Sequence, residues 1–359
     1  MPLLVKKVQV SPLHAPLYAP FRIATGQHDA LENVLLRLEL ADGIVGFGEA
    51  AVATHITGET IARTTSNLKE AGAALIGEDI ADYRALLYSF QERFDGNHAA
   101  LAAFEMAVLD AFCRSMKIPL WRLFGARPAK LSTDITVVIG SLAEAQAWTK
   151  DFYTRGFRSF KVKVGREPEL DVERVRIVAK CAPKASIILD ANQAFTASGM
   201  LKFLKALKSH GICPVLLEQP VAKADWDGSR ELTRVSGVLV CADESVGSLA
   251  AAVLALKTGA VNAVNIKLMK SGFLEGAAIA RLAQARGAKL MMGAMMESAL
   301  AITAGAHLAA GLGGFEFIDL DTTFFIKGPC ARSPYLNAKG QFDLSQASAG
   351  IGVKVTPQS

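Results

Sequence analysis

The chain has no run of lysines or arginines, no CxxC pair, few tryptophans and no leucine-rich stretch long enough to stand out. Each lack closes off a class. Without a cationic run or a basic patch interleaved with aromatics, the net charge of +5 reads as ordinary surface, and no nucleic-acid partner is expected. The five cysteines, Cys113, Cys181, Cys213, Cys241 and Cys330, are odd in number and have no metal-ligand spacing. They argue against a disulfide framework or a zinc site and for a reducing compartment, so a cytoplasmic protein is expected. The opening MPLLVKKVQVSPLHAP lacks the apolar core and cleavage site of an export signal and alternates like a strand. Formal charge is absent from Ser298 to Phe315, apart from His307, but this stretch is rich in alanine and glycine and has no cationic flank. A buried helix is expected there, and no membrane partner. The glycines of GIVGFG, residues 43–48, are not followed by a helix, so they are not a phosphate loop, and a hairpin accounts for them.

What is present is a globular composition: 359 residues, 51% hydrophobic and 20% charged, enough for a large core in two domains or in a barrel with an appendage. Residues 1 to about 125 read as an α+β unit. A strand over Val5 to His14 is followed by two strands joined at Asp42-Gly43, a dipeptide suited to a tight turn. Further on, NHAALAAFEMAVLDAFCRSMK places Leu101, Phe104, Val108 and Phe112 on one helical stripe, with Asn97 at the N-cap.

From about residue 131 short apolar runs alternate with helical stretches: DITVVIG, FKVKVG, SIILDAN, PVLLEQP, VLVCADES, VNIKLMKSG, KLMMGAMMES and FEFIDLDT. Eight such units predict an α/β fold, a (β/α)8 barrel of the TIM type. A doubly wound open sheet is the alternative, but the glycine-rich βα turn that would favour it is missing.

FKVKVG carries two ammonium groups on one face, because side chains alternate along a strand. On an edge strand Lys161 and Lys163 would guard against aggregation. In a barrel they face a shared interior. The runs from the second onward end in Lys163, Asp190, Glu218, Asp243, Lys267, Glu297 and Asp319, each one βα unit from the next, so these side chains converge on the C-terminal rim. Three carboxylates from consecutive strands, Asp190, Glu218 and Asp243, cannot all stay ionised there without a cation. An all-oxygen set selects a hard divalent ion, Mg²⁺ before Ca²⁺. Such an ion on a substrate carboxylate would stabilise the enediolate formed when the adjacent carbon loses its proton. Lys163, its basicity lowered by neighbouring positive charge, is the candidate base, and Lys267 would meet the opposite face of the same carbon. Two lysines across one carbon predict epimerisation or racemisation.

With these residues in place the sequence resembles the enolase superfamily, muconate-lactonising subgroup. That group carries a KxK on the second strand, Asp/Glu/Asp metal ligands on the third to fifth and a lysine on the sixth, and uses a lysine base with Mg²⁺. The resemblance extends to AAFEMAVLDAFCRSMKIPLWRLFG, which looks like the segment joining cap to barrel. It implies an α+β capping domain over residues 1–125, a barrel over 126–325 and a C-terminal segment, 326–359, that returns to the cap. FIDLDT resembles the DxD motif of dipeptide epimerases, including L-Ala-D/L-Glu epimerases, which implies that Asp319 and Asp321 hold a substrate α-ammonium group. Thr136 and Ser298 sit where such enzymes contact substrate, and Lys161 would support the substrate carboxylate. The implied activity is Mg²⁺-dependent epimerisation of the C-terminal residue of a dipeptide, with a homo-oligomer expected. The alternatives on the same metal site are o-succinylbenzoate synthesis, muconate cycloisomerisation and N-acylamino acid racemisation. One departure bears on substrate choice. PFRIATGQHDA offers Gly26, Gln27 and His28 where glutamate-preferring members carry an arginine, and Arg22 lies several residues earlier.

Overall fold

A computed structural model describes residues 2–125, 130–328 and 330–356. Strands β1 (Val5–Arg22), β2 (Gln27–Leu40) and β3 (Val45–Ala50) form an antiparallel sheet in chain order. At the β2–β3 turn Gly43 takes a φ of +87°, and the Asp42 carboxylate accepts the Ile44 N–H at 3.0 Å. Gly46 and Gly48 have a different cause from the hairpin. A Cβ on Gly46 would lie 2.2 Å from the Ala107 carbonyl oxygen, and one on Gly48 1.9 Å from that of Ala103, so β3 can rest on the helix His98–Ser115 only without side chains there.

That helix is buried on nearly every face, wider than the stripe expected. Leu101, Phe104 and Val108 are buried, Phe112 only partly, and Glu105 and Asp110 are buried as well. Asn97 holds the N-cap position, yet its side chain does not cap: it donates to the Thr64 hydroxyl at 3.0 Å, and the Glu59 carboxylate accepts the Ala99 N–H at 3.2 Å.

After the short β4 (Leu131–Ser132), each of the eight apolar runs supplies one parallel strand: β5 (Ile135–Val137), β6 (Ser159–Lys163), β7 (Ser186–Asp190), β8 (Leu216–Glu218), β9 (Leu239–Ala242), β10 (Ala263–Ile266), β11 (Lys289–Met292) and β12 (Phe315–Ile318). Their order in the sheet follows the chain, and the Asp134 N–H donates to the Ile318 carbonyl at 2.8 Å, joining first strand to last. The result is the expected (β/α)8 barrel. Its interior holds an apolar plug of Ile188, Leu216, Cys241, Ala263 and Met291, separate from the main core, and the polar rim lies above this plug. The uncharged run forms the buried helix Ala299–Leu312, and among the described residues no helix is long and apolar enough to cross a membrane.

The tail contributes β13 (Ala331–Arg332), β14 (Gln341–Phe342) and β15 (Lys354–Val355); β13 pairs with β15, and β14 with β4. Beyond β14 the chain touches the helix His98–Ser115, where the Ile351 N–H donates to Asp110 at 2.7 Å. The expected boundary after residue 125 falls against residues 126–129, which lie outside the described residues.

Candidate active site

Parallel pairing sets Lys163 beside Asp190 and Asp190 beside Glu218, so one level of the rim carries all three side chains. Lys161 pairs with Thr136 one level down. Both lysines of FKVKVG are buried, with 2% and 6% of their surface exposed, which answers the charge pattern of that strand. The Lys161 ammonium meets three carboxylates, Asp190 at 2.9 Å, Glu218 at 2.8 Å and Asp319 at 2.7 Å. Burial works against its charge, but Asp190, Asp319, Glu218 and Asp134 together outweigh burial and raise its pKa well above the ordinary lysine value. Lys163 sits 2.5 Å from Asp190 and 3.2 Å from the Asn192 side-chain oxygen.

Across the rim Lys267 lies 2.8 Å from Asp243. Burial opposes its charge as well, and the Asp243 carboxylate turns the balance, so its pKa is raised. Asp243 is shared with Lys270, a residue the sequence reading passed over. Lys270, on the short helix Leu268–Ser271, bonds the Asp243 carboxylate at 2.7 Å and its backbone oxygen at 2.5 Å. The signal was a second lysine one helical turn past Lys267 in VNIKLMKSG. Gln219, held at a φ of +37°, also braces Asp243: its side-chain oxygen accepts the Asp243 N–H at 2.9 Å and the Ser245 N–H at 3.1 Å. Asn192 and Gln193, two and three residues past Asp190, likewise have positive φ, so left-handed backbone clusters where the strands deliver their carboxylates.

Burial first and Asp190 second push the Glu218 pKa up to about 7, while one of its oxygens accepts Asn265 Nδ2 at 2.8 Å. Its other oxygen, close to Lys161, has no well-directed hydrogen bond. This under-satisfied oxygen, the all-oxygen donor set and the crowd of ammonium groups around it mark a place that demands positive charge, and the three carboxylates fit a hard divalent ion. Among the described residues, however, the one trio of acidic groups whose oxygens lie within 4.8 Å of one another is Asp134, Asp319 and Asp321. Asp190, Glu218 and Asp243 converge on the same rim but are held by lysines.

Thr136, Lys161, Lys163, Lys267, Asp319 and Asp321 line one cavity below the cap. Its apolar wall comes from Phe21, Ile23 and Ile56 of the cap and Met295 and Met296 after β11. His28 also lines it, its ring set edge-on to that of His55 at 4.9 Å. Burial first, then the nearby His55, pushes the His28 pKa down to about 4, so this ring is neutral near pH 7. Arg22 lines a separate cavity outside β5 with Glu144 and Trp148. Ser298 differs from expectation. Its hydroxyl bonds the Glu49 carboxylate at 2.5 Å, its N–H donates to Glu49 at 2.8 Å and its carbonyl accepts the Ile302 N–H, so its polar groups are committed to the start of the helix and it does not line the cavity. Thr136 reaches the cavity, but its backbone N–H is given to Asp321 at 2.6 Å.

This layout has known counterparts. Residues 6–125 match the family model described as mandelate racemase / muconate lactonizing enzyme, N-terminal domain, and residues 143–359 match that described as enolase C-terminal domain-like. The chain belongs to the enolase superfamily. Within it, this superfamily member is 56% identical over 358 residues to a hydrophobic dipeptide epimerase of Citrifermentans bemidjiense, covering 98% of this chain and 97% of that one. It is 33% identical to the L-Ala-D/L-Glu epimerase of Bacillus subtilis, over 89% of each chain. The structure of a dipeptide epimerase from Enterococcus faecalis, complexed with Mg and the dipeptide L-Leu-L-Tyr, superposes with a TM-score of 0.91 at 31% identity, covering 98% of this chain and 99% of that one.

Proposed function

We propose that this protein is a Mg²⁺-dependent dipeptide epimerase that inverts the α-carbon of the C-terminal residue of dipeptides with apolar side chains. The observation that carries the reading is the single cavity lined at once by Lys163, Lys267 and the Asp319/Asp321 pair, because no other activity weighed for this metal site needs acidic groups for a free ammonium. The similarity to named dipeptide epimerases supports it. The apolar wall of Phe21, Ile23, Ile56, Met295 and Met296 supports the choice of side chain, and none of the described residues lining the cavity is an arginine.

In this reading Asp319 and Asp321 bind the α-ammonium, and Lys161 supports the carboxylate end. Asp190, Glu218 and Asp243 hold Mg²⁺, which when bound supplies positive charge against the substrate carboxylate as the α-proton leaves. Lys163 Nζ takes the proton from one face and Lys267 Nζ returns one to the other; the reverse reaction exchanges the roles. The Asp243 carboxylate keeps Lys267 protonated in the state seen here, so it holds a proton to return. The cap and the Met295–Met296 segment exclude water while the carbon is deprotonated. A reducing, cytoplasmic setting for the five free thiols and a homo-oligomeric assembly belong to the same reading; light scattering checks the assembly.

The test is incubation of pooled L,L-dipeptides in ²H₂O with Mg²⁺. Deuterium is expected at the C-terminal α-carbon of pools with apolar residues, and exchange is lost on chelation. Absence of exchange in every pool would overturn the reading.

A further inference from the structure

Asp134, immediately before β5, takes no part in the chemistry above, yet among the described residues it is the one buried carboxylate with both oxygens unpartnered. Only 1% of its surface is exposed, and neither side-chain oxygen has a hydrogen-bond partner. The seam of the barrel fixes the backbone that carries it. The Asp134 N–H donates to Ile318, the Leu320 N–H donates to the Thr133 hydroxyl at 2.8 Å, and the Thr136 N–H donates to Asp321. These bonds clamp the residues around β5 to the turn that carries Asp319 and Asp321, and they place the three carboxylates within 4.8 Å of one another.

The nearest cation does not relieve the strain. Lys161 stands in ion-pair contact with Asp190, Glu218 and Asp319, and neither Asp134 oxygen has a hydrogen bond from it. A buried carboxylate anion beside two more, with no donor, carries the full cost of desolvation, whereas a neutral carboxylic acid becomes a donor itself. Burial first, then the charges of Asp319 and Asp321, push the pKa of Asp134 well above the carboxylate range.

We infer that Asp134 is a neutral carboxylic acid whose O–H donates to the Asp319/Asp321 pair from beneath the cavity, a positioning residue that holds the pair aimed at the substrate ammonium. Asp134 does not line the cavity, so it acts through the pair and does not touch the substrate. The role in ammonium binding rests on the epimerase reading; the protonation state does not.

The experiment is infrared difference spectroscopy of wild type against Asp134→Asn near neutral pH, with ¹³C-labelled aspartate. A C=O band of a protonated aspartic acid is expected to be lost on going from wild type to the variant, whether or not any dipeptide is turned over. If that band is missing, or if added K⁺ raises the melting temperature of wild type but not of the variant, the group is ionised or holds a cation, and the inference falls. In kinetics, Asp134→Leu removes the donor and is expected to raise KM for a dipeptide about tenfold, the effect of one lost buried hydrogen bond, with a smaller change in kcat. Asp134→Asn, whose amide N–H can donate, restores most of that loss. Equal losses in the two variants would contradict donation. Should Asp134→Leu fail to fold, the infrared band decides alone.

Discussion

Buried carboxylates gather in two regions of this protein and meet different donors in each. At the seam where the cap meets the barrel and the tail, backbone N–H groups are the main donors: Glu49 accepts from those of Ser298 and Ala301 as well as from Asn33, Glu105 from those of Phe273 and Leu274, and Asp110 from those of Phe47 and Ile351 as well as from Arg114 Nε. At the rim, Asp190, Asp243 and Asp319 are bound by Lys161, Lys163, Lys267 and Lys270. Backbone N–H groups are fixed and cannot give up a proton, so the seam carboxylates act as rivets. Lysine ammonium groups sit on flexible stems and can exchange protons, so the rim is chemically active. The same residue type does two jobs, and the donor opposite it decides which.

The largest effect that would sharpen this contrast lies at the rim. Replacing either Lys163 or Lys267 by Ala should lower net epimerisation by about a thousandfold, the scale of a lost general acid or base. Each lysine is also one partner of a buried ion pair, so some fall in melting temperature is expected beside the loss of activity. Each variant should still exchange the α-proton of one diastereomer with solvent, and the two variants should differ in which one, as read by ²H incorporation in NMR. Equal loss for both diastereomers in both variants would point to a single base.

At the seam the expected change is in stability. Glu49→Ala leaves the Ser298 and Ala301 N–H groups and Asn33 without their acceptor, at a cost of about 3 kcal/mol in denaturant unfolding. The protein that remains folded should keep its turnover. A variant of normal stability with lost activity would erase the distinction between the regions.

The smallest effect is a pH dependence. Burial pushes the Glu105 pKa up to about 7, against bonds from Phe273 and Leu274 that lower it, while in the unfolded chain it titrates near 4.5. The folded state therefore binds the proton more tightly. The contribution of this group to stability is fully present below pH 4.5 and is lost as pH rises through about 7, a loss of at most about 3 kcal/mol. Glu105→Gln, with no proton to lose, should flatten that part of the stability profile between pH 5 and 8. An unchanged slope would mean that Glu105 stays charged throughout.

The eight strands were readable because each is a short apolar run, from the second onward ending in a polar residue, and the alternation of FKVKVG fixes which way its lysines point. Gln219 was not readable. Its work is to hold Asp243 from a neighbouring loop, and nothing in local spacing says which loop side chain bends back toward a strand end. Ser298 shows the reverse failure. Its place after β11 suggested substrate contact, but a residue at a helix N-terminus is open to capture, and Glu49 from a distant strand captures it.

By itself, then, the sequence determined what depends on order and period: the barrel, the level at which Lys163, Asp190 and Glu218 stand, and the joint presence of lysines and carboxylates on one rim. The tertiary structure decided what depends on meetings between segments far apart in the chain. It turned Glu49, Glu105 and Asp110 into rivets, walled the cavity with Phe21, Ile23 and Ile56 of the cap, and clamped Asp134 against Asp319 and Asp321 with no donor of its own. The reason is physical. Side-chain direction follows from local backbone geometry, but a buried charge takes its character from whichever groups the closed fold brings within hydrogen-bonding distance.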